Sequence, residues 1–358
     1  MKALKTLALT LALLLALSAC GVITSPDGPT QVVGGSAPAE EREIPAQPEI
    51  SEERPEELFP SRDPEPAVSM RIGALRGPTA MGMAKMLGND LDQYTLAGSA
   101  DELTPAFIKG DLDIICVPAN LASVLYNKTE GQVVTLAVNT LGVLYIVENG
   151  GEAVQSMADL KGRTIVAAGK GSTPEYGLRY LLEQNGLDPD KDVTIDWKSE
   201  HAECVAALAA GAADLALLPQ PFVTVAQGKL GDGLRVALDL TAEWDTLDNG
   251  SAMITGVAVA RRDFVEGYPE LADRFLKDYA ASVAWVNANP AEAAEIIAEY
   301  GIIESPAIAE KALPHCNIVC LTGQEMHDKL SGYLSVLAEA NPQAVGGQLP
   351  GDDFYYGA

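Results

Sequence analysis

Basic side chains are scarce. The 358 residues carry 24 Lys and Arg against 50 Asp and Glu, a formal net charge of −26. Nucleic-acid binding is excluded on that ground, because neutralising phosphates takes a basic surface. Adsorption to anionic lipid through a basic patch is excluded with it. Histidine is scarcer still, with only His201, His315 and His327. No G-x-S-x-G, H-E-x-x-H or C-x-x-C is present. Nucleophilic, zinc and dithiol chemistry therefore have little to build on, and no enzyme activity is expected. Aromatic residues make up 6%. Ala and Gly are abundant instead, which suits helices packed on sheets.

No apolar run is long enough to span a bilayer; the longest, Leu7 to Leu17, follows Lys2 and Lys5. It ends in Leu17-Ser18-Ala19-Cys20. Positive residues, an apolar stretch and small residues before Cys resemble a bacterial lipobox. Residues 1–19 are expected to be a lipoprotein signal peptide, with Cys20 the lipidation site. An ordinary signal peptide with an incidental Cys, or a membrane anchor, is the alternative. Residues 20–67 follow as an acidic, Pro-rich tether. From Gly21 to Ala67 there are nine of the 22 Pro, and eleven acids against three Arg. Such a segment buries too little apolar surface to fold. Four Cys remain beyond it: Cys116, Cys204, Cys316 and Cys320. Three full pairings are open, and so are four buried free thiols.

From Val68 the pattern is strand, helix, strand. Ser69–Leu75, Tyr94–Ala97, Leu112–Val117, Val133–Val138 and Val143–Val147 read as strands, with helices between. A helix is expected to begin in Gly77–Gly82 and to run on through Leu87. A second unit repeats the scheme from Thr164 to Leu238. After Met253 comes one strand and then four helical stretches, with His315, Cys316 and Cys320 among them. The fold class is α/β.

Polar groups cluster just past strand ends, where open α/β sheets hold ligands. Gly77-Pro78-Thr79-Ala80-Met81-Gly82 follows the first strand. Gly169-Lys170-Gly171-Ser172-Thr173-Pro174-Glu175 has the same placement in the second unit. It lacks the third glycine of a dinucleotide fingerprint and is no P-loop, so no cofactor is expected. Backbone N–H groups at such helix starts can receive an anion or carbonyl; capping and tight turns explain the same residues. Asn120 lies past a third strand. Asn139-Thr140-Leu141-Gly142 and Pro219-Gln220-Pro221 flank places where the chain passes between units. His315, Cys316, Cys320 and His327 have no zinc-ligand spacing, and no metal is expected.

These pieces resemble type II periplasmic binding proteins of ABC transporters, in the nitrate/sulfonate/taurine and thiamine-pyrimidine group. Ser156-Met157-Ala158-Asp159-Leu160-Lys161-Gly162-Arg163-Thr164-Ile165, Gly171–Glu175, Leu218–Val223, Gly256–Phe264 and Tyr268-Pro269-Glu270 carry the resemblance. It implies two lobes: 68–144 with 252–358, and 145–251, with a ligand cleft between them. The implied ligand-binding residues are Thr79, Ala80, Met81, Asn120, Thr140, Gly142, Ser172, Thr173, Gln220 and Pro221. It further implies hinge closure on a sulfonate, nitrate-like anion or pyrimidine, and delivery by a monomer to a membrane permease. A sensory lipoprotein or a pyrimidine-synthesising enzyme on the same fold are the alternatives. No Arg stands at the implied ligand loops; Arg76 and Lys170 are the nearest cations.

Overall fold

The computed structural model describes residues 69–358. The leader, Cys20 and the tether lie outside the described residues. Along the chain run β1 (Arg71–Leu75), α1 (Pro78–Met81), β2 (Gln93–Ala97), α2 (Ala100–Lys109), β3 (Ile114–Pro118), α3 (Ala119–Lys128) and β4 (Val133–Leu141). Then come β5 (Leu144–Asn149), β6 (Thr164–Ala168), α4 (Thr173–Gln184), β7 (Thr194–Lys198), α5 (His201–Ala209), β8 (Leu215–Pro219), α6 (Phe222–Leu230), β9 (Leu234–Asp239) and α7 (Leu240–Asp245). The last part holds β10 (Ile254–Arg261), α8 (Arg262–Gly267), α9 (Pro269–Ala288), α10 (Pro290–Glu299), α11 (Pro306–Ala312), β11 (Ile318–Leu321) and α12 (Gly323–Ala340).

Local chemistry sets many of these bounds. Ser99 and Glu102 form a capping box at the start of α2, and Gly110 ends it at φ 83°. Pro opens α9, α10 and α11, where its missing N–H costs nothing. The expected helix through Leu87 stops at Met81 and continues only as turns. Gly82 is pressed against α9, where an added Cβ would lie 2.6 Å from the Tyr279 hydroxyl. The late region expected to be helical contains β11, so Cys320 lies on a strand.

The elements form two sheets. The first has six strands in the order β11-β4-β10-β3-β1-β2, and the second five in the order β7-β6-β8-β5-β9. β10 is antiparallel to both β3 and β4, and sits between them. Eight successive residues of β4, Val133 to Thr140, are buried, as expected of a strand covered on both faces. One apolar core contains residues of both sheets, such as Val257 and Ile146, together with Trp244 of α7 and Tyr333 of α12. Two further cores lie on the opposite faces. The architecture is a two-lobed α/β fold. Among the described residues no helix is long and apolar enough to cross a membrane.

Topology makes one edge of each sheet face the other. β4 ends at Leu141 and β5 begins at Leu144, so only Gly142 and Val143 link the sheets there. The return, from Asp239 to Ile254, carries α7. Both passages join the same two edges. In the first sheet that edge holds the ends of β1, β3 and β4 and the start of β10. In the second it holds the ends of β6, β8 and β9 and the start of β5.

Candidate functional site

The first-sheet edge converges on Gly256, which pairs with Pro118 on one side and Thr140 on the other. A Cβ added there would lie 2.5 Å from both Asn139 Oδ1 and Thr79 Cγ2, and 3.4 Å from Thr140 Oγ1. Only glycine lets these three side chains meet over the backbone. Thr79 Oγ1 donates to the Leu75 carbonyl at 2.8 Å, and Thr140 Oγ1 donates to Asn139 Oδ1 at 3.0 Å. Thr255 Oγ1 is buried without a hydrogen-bond partner, and the Asn139 side chain lies against the Cys116 thiol. Ala80 and Met81 are wholly buried in the apolar core beneath α1. Asn120 turns towards the C-terminal segment, with Nδ2 3.4 Å from the Ala344 carbonyl.

Gly142 sits at the short link. Its Cβ would lie 2.2 Å from Thr241 Oγ1 and 3.1 Å from Met253. Its carbonyl accepts from Asn317 Nδ2 at 2.6 Å. The Thr241 hydroxyl is buried and unpartnered. On the second-sheet edge, Gln220 follows β8 and is 4% exposed. Its Oε1 accepts from Thr224 Oγ1 at 2.9 Å, and its peptide bond to Pro221 is cis. Ser172 Oγ donates to the Gly169 carbonyl at 2.7 Å. Thr173 is buried and accepts from the Tyr333 hydroxyl at 3.2 Å. His201, at the start of α5, lies against the Phe222 ring with centroids 5.3 Å apart. Burial lowers its pKa and so favours the neutral imidazole. Tyr145 reaches from β5 to the His315 carbonyl at 2.8 Å.

The structure thus brings Thr79 and Thr140 together on one edge, Gly142 to the link and Gln220 to the opposite edge. Ala80, Met81 and Asn120 point elsewhere, and the Ser172 and Thr173 hydroxyls are engaged locally. Sequence reasoning named Asn139 only within the segment flanking a passage between units, and did not count it among the implied ligand-binding residues. It also missed Thr241. The Asp239 side chain accepting from the Thr241 N–H at 2.9 Å is the signal that could have marked that strand end.

The chemistry on offer is hydrogen bonding by neutral groups. Cys116 and Cys316 are free and buried, and burial pushes both thiols up to about 12. Burial likewise raises Cys320 and Cys204 to about 11. No group of His, Cys, Asp and Glu among the described residues is arranged to hold a metal ion.

Comparison with known proteins bears on the fold and the family. The family model for the phosphonate periplasmic substrate-binding protein of ABC transporters matches residues 69–266. An ABC transporter from Parabacteroides distasonis, solved by crystallography, is 27% identical with a TM-score of 0.69. The alignment covers 80% of this chain and 98% of that one. The periplasmic aliphatic sulphonate binding protein SsuA from Escherichia coli shares the fold at 18% identity and a TM-score of 0.63, covering 80% of this chain and 95% of that one. The desulfurization enzyme DSZB shares it at 15% identity and 0.55, covering 76% and 92%. No curated protein matches the sequence. With more than half of its length matched by the family model, the chain belongs to the periplasmic substrate-binding proteins of ABC transporters, in the phosphonate family.

Proposed function

We propose that the protein captures one small polar solute outside the cytoplasmic membrane, by closing its two lobes on it, and delivers it to an ABC permease. One observation carries this reading: buried polar side chains on two facing sheet edges, joined by a link of two residues. Thr79, Asn139 and Thr140 would hold the solute from the first lobe, and Gln220 and Thr241 from the second. Gly142 would be the pivot. Ala80 and Met81 anchor α1 in the apolar core; Ser172, Thr173 and Pro221 shape the chain where α4 and α6 begin. Asn120 would act through the C-terminal segment it contacts.

A solute touching both edges makes its full set of contacts only when the lobes are closed. It therefore shifts an open–closed equilibrium by its differential affinity for the two states. The closed form is then what a permease would recognise. Cys20, by the lipobox reading, would hold the protein at the membrane. The names of structural neighbours direct the first screen to sulfonates, and the family's to phosphonates. Uncharged heterocycles complete it.

The test is a thermal-shift screen followed by solution scattering. A solute at 100 times its Kd raises stability by about 2.7 kcal/mol, and the radius of gyration should fall on binding. Thr79→Val and Thr241→Val each remove one hydrogen bond and should weaken binding about tenfold. A ligand that binds without compaction, and equally well to both variants, would refute the closure reading.

A further inference from the structure

The chain from Leu313 onward supplies none of the proposed solute contacts, yet it lies along both passages between the lobes. At the first passage, residues 315–318 run beside Thr140–Tyr145. Ile318 pairs with Thr140 in the first sheet. The Asn317 carbonyl accepts from the Leu141 N–H at 3.0 Å. The Asn317 side chain donates to the Gly142 carbonyl at 2.6 Å. The His315 carbonyl accepts from the Tyr145 hydroxyl at 2.8 Å. Tyr145 belongs to β5, and its ring is buried in the outer core of the second lobe. The segment itself is fastened to the first lobe: the Ile318 carbonyl accepts from Asn287 of α9 at 3.0 Å, and Cys316 is wholly buried. Asn317 adopts φ 44° to turn both of its groups to the link. Left-handed backbone is uncommon outside glycine, and Asn is among the few residues that take it readily.

At the second passage α12 plays the same part. Gly332 is pressed on Ser251, whose Cβ would lie 2.6 Å from an added Cβ. Ser251 Oγ accepts from Trp244 Nε1 at 2.9 Å, and Trp244 packs on Tyr333 with ring centroids 5.7 Å apart. The Tyr333 hydroxyl reaches Thr173 of α4. Just past α12, Asn341 Nδ2 donates to the Tyr176 hydroxyl at 2.9 Å. On the facing edges Thr79, Thr140, Gln220 and Thr241 are each 8% exposed or less.

We infer that this arrangement is the closed one, and that Asn317, Tyr145 and Tyr333 are positioning residues that hold it closed without being solute contacts. Turning the lobes about Gly142 parts its carbonyl from Asn317 and the Tyr145 hydroxyl from His315. Opening therefore costs bonds that the solute does not make. Each such bond shifts the open–closed equilibrium about fivefold. Bonds that favour closure with or without solute raise the population of the binding-competent form, and with it the apparent affinity. The solute completes a closure that the chain has already favoured. The inference rests on reading the facing edges as the solute cleft.

The experiment is hydrogen exchange on the full chain, dialysed free of small molecules. It compares the natural sequence with Asn317→Gly, Tyr145→Phe, Tyr333→Phe and the pair Asn317→Gly/Tyr145→Phe. Glycine keeps φ 44° accessible, and Phe keeps each ring in its core. Amides in 139–145, 219–224 and 239–244 should exchange about fivefold faster in each single variant and about twentyfold faster in the pair. Amides of α2 and α10 should keep their rates. Unchanged rates at the facing edges would overturn the inference, and would leave the capture reading to its own test, compaction on binding. Equal acceleration throughout would overturn it as well, because these residues would then act on global stability alone. So would facing-edge amides that exchange in the natural sequence as fast as exposed turns, since the lobes would then not be held closed.

Discussion

At the residue scale, one of the tightest contacts is at Gly142. A methyl there cannot coexist with Thr241 Oγ1 at 2.2 Å. Gly142→Ala should therefore destabilise the protein by about 1–3 kcal/mol through overpacking. Adding Thr241→Ala removes the obstructing oxygen and should restore much of the loss, a coupling seen in a double-mutant cycle of melting temperatures. An unchanged melt for Gly142→Ala alone would contradict the packing. The thiols offer a second check. The nucleophile is the thiolate, and burial holds Cys116 and Cys316 as thiols up to about 12. In native protein at pH 8, a disulfide reagent should leave them unmodified until denaturant is added. Fast native labelling of either would show that its surroundings are open.

At the element scale, β5 is pinned by Glu148. Burial by itself would raise its carboxyl. The Val154 and Ala153 N–H groups and the Arg235 guanidinium outweigh that and hold it below its ordinary value. Its stabilising contribution is complete above the ordinary value of 4.5 and drains away as pH falls through the lower, folded value. Glu148→Gln should lower the melting temperature at pH 7 and narrow the difference between neutral and acid melts. An equal acid sensitivity in the variant would assign the effect elsewhere. The bond from Tyr333 in α12 to Thr173 in α4 contributes about 1 kcal/mol by its kind. Tyr333→Phe should cost that much, and Thr173→Val should add little further. Much at this scale was legible in the sequence. The strand Thr164–Ala168 and the helix starts at Pro269 and Pro290 stand where the residues alone put them. β11 was not legible, because Ile318–Leu321 is four residues long and gains its strand form from pairing with β4. α6 was missed because Gly228 interrupts its apolar pattern. Thr79, Thr140 and Gln220 could be picked out as polar residues at strand ends. Thr241 could not, because its place beside Gly142 is created by folding across about a hundred residues of chain.

At the scale of the whole molecule, the order in which the strands appear along the chain differs from the order in which they lie side by side. β4 pairs only with β10 and β11, both of which come more than a hundred residues later. During export the chain emerges N-terminus first. Until Ile254 has followed, β1, β2 and β3 are an incomplete trio and β4 is an isolated apolar strand with no partner on either side. The second lobe, by contrast, is one uninterrupted stretch of strands β5 to β9. A chain cut before Ile254 should show protected amides in β5–β9 and none in β4, as hydrogen exchange would reveal. An exposed strand of this kind is a ready site for mispairing between copies. The insertion of one lobe within the other thus leaves β4 open to such mispairing while more than a hundred further residues are made.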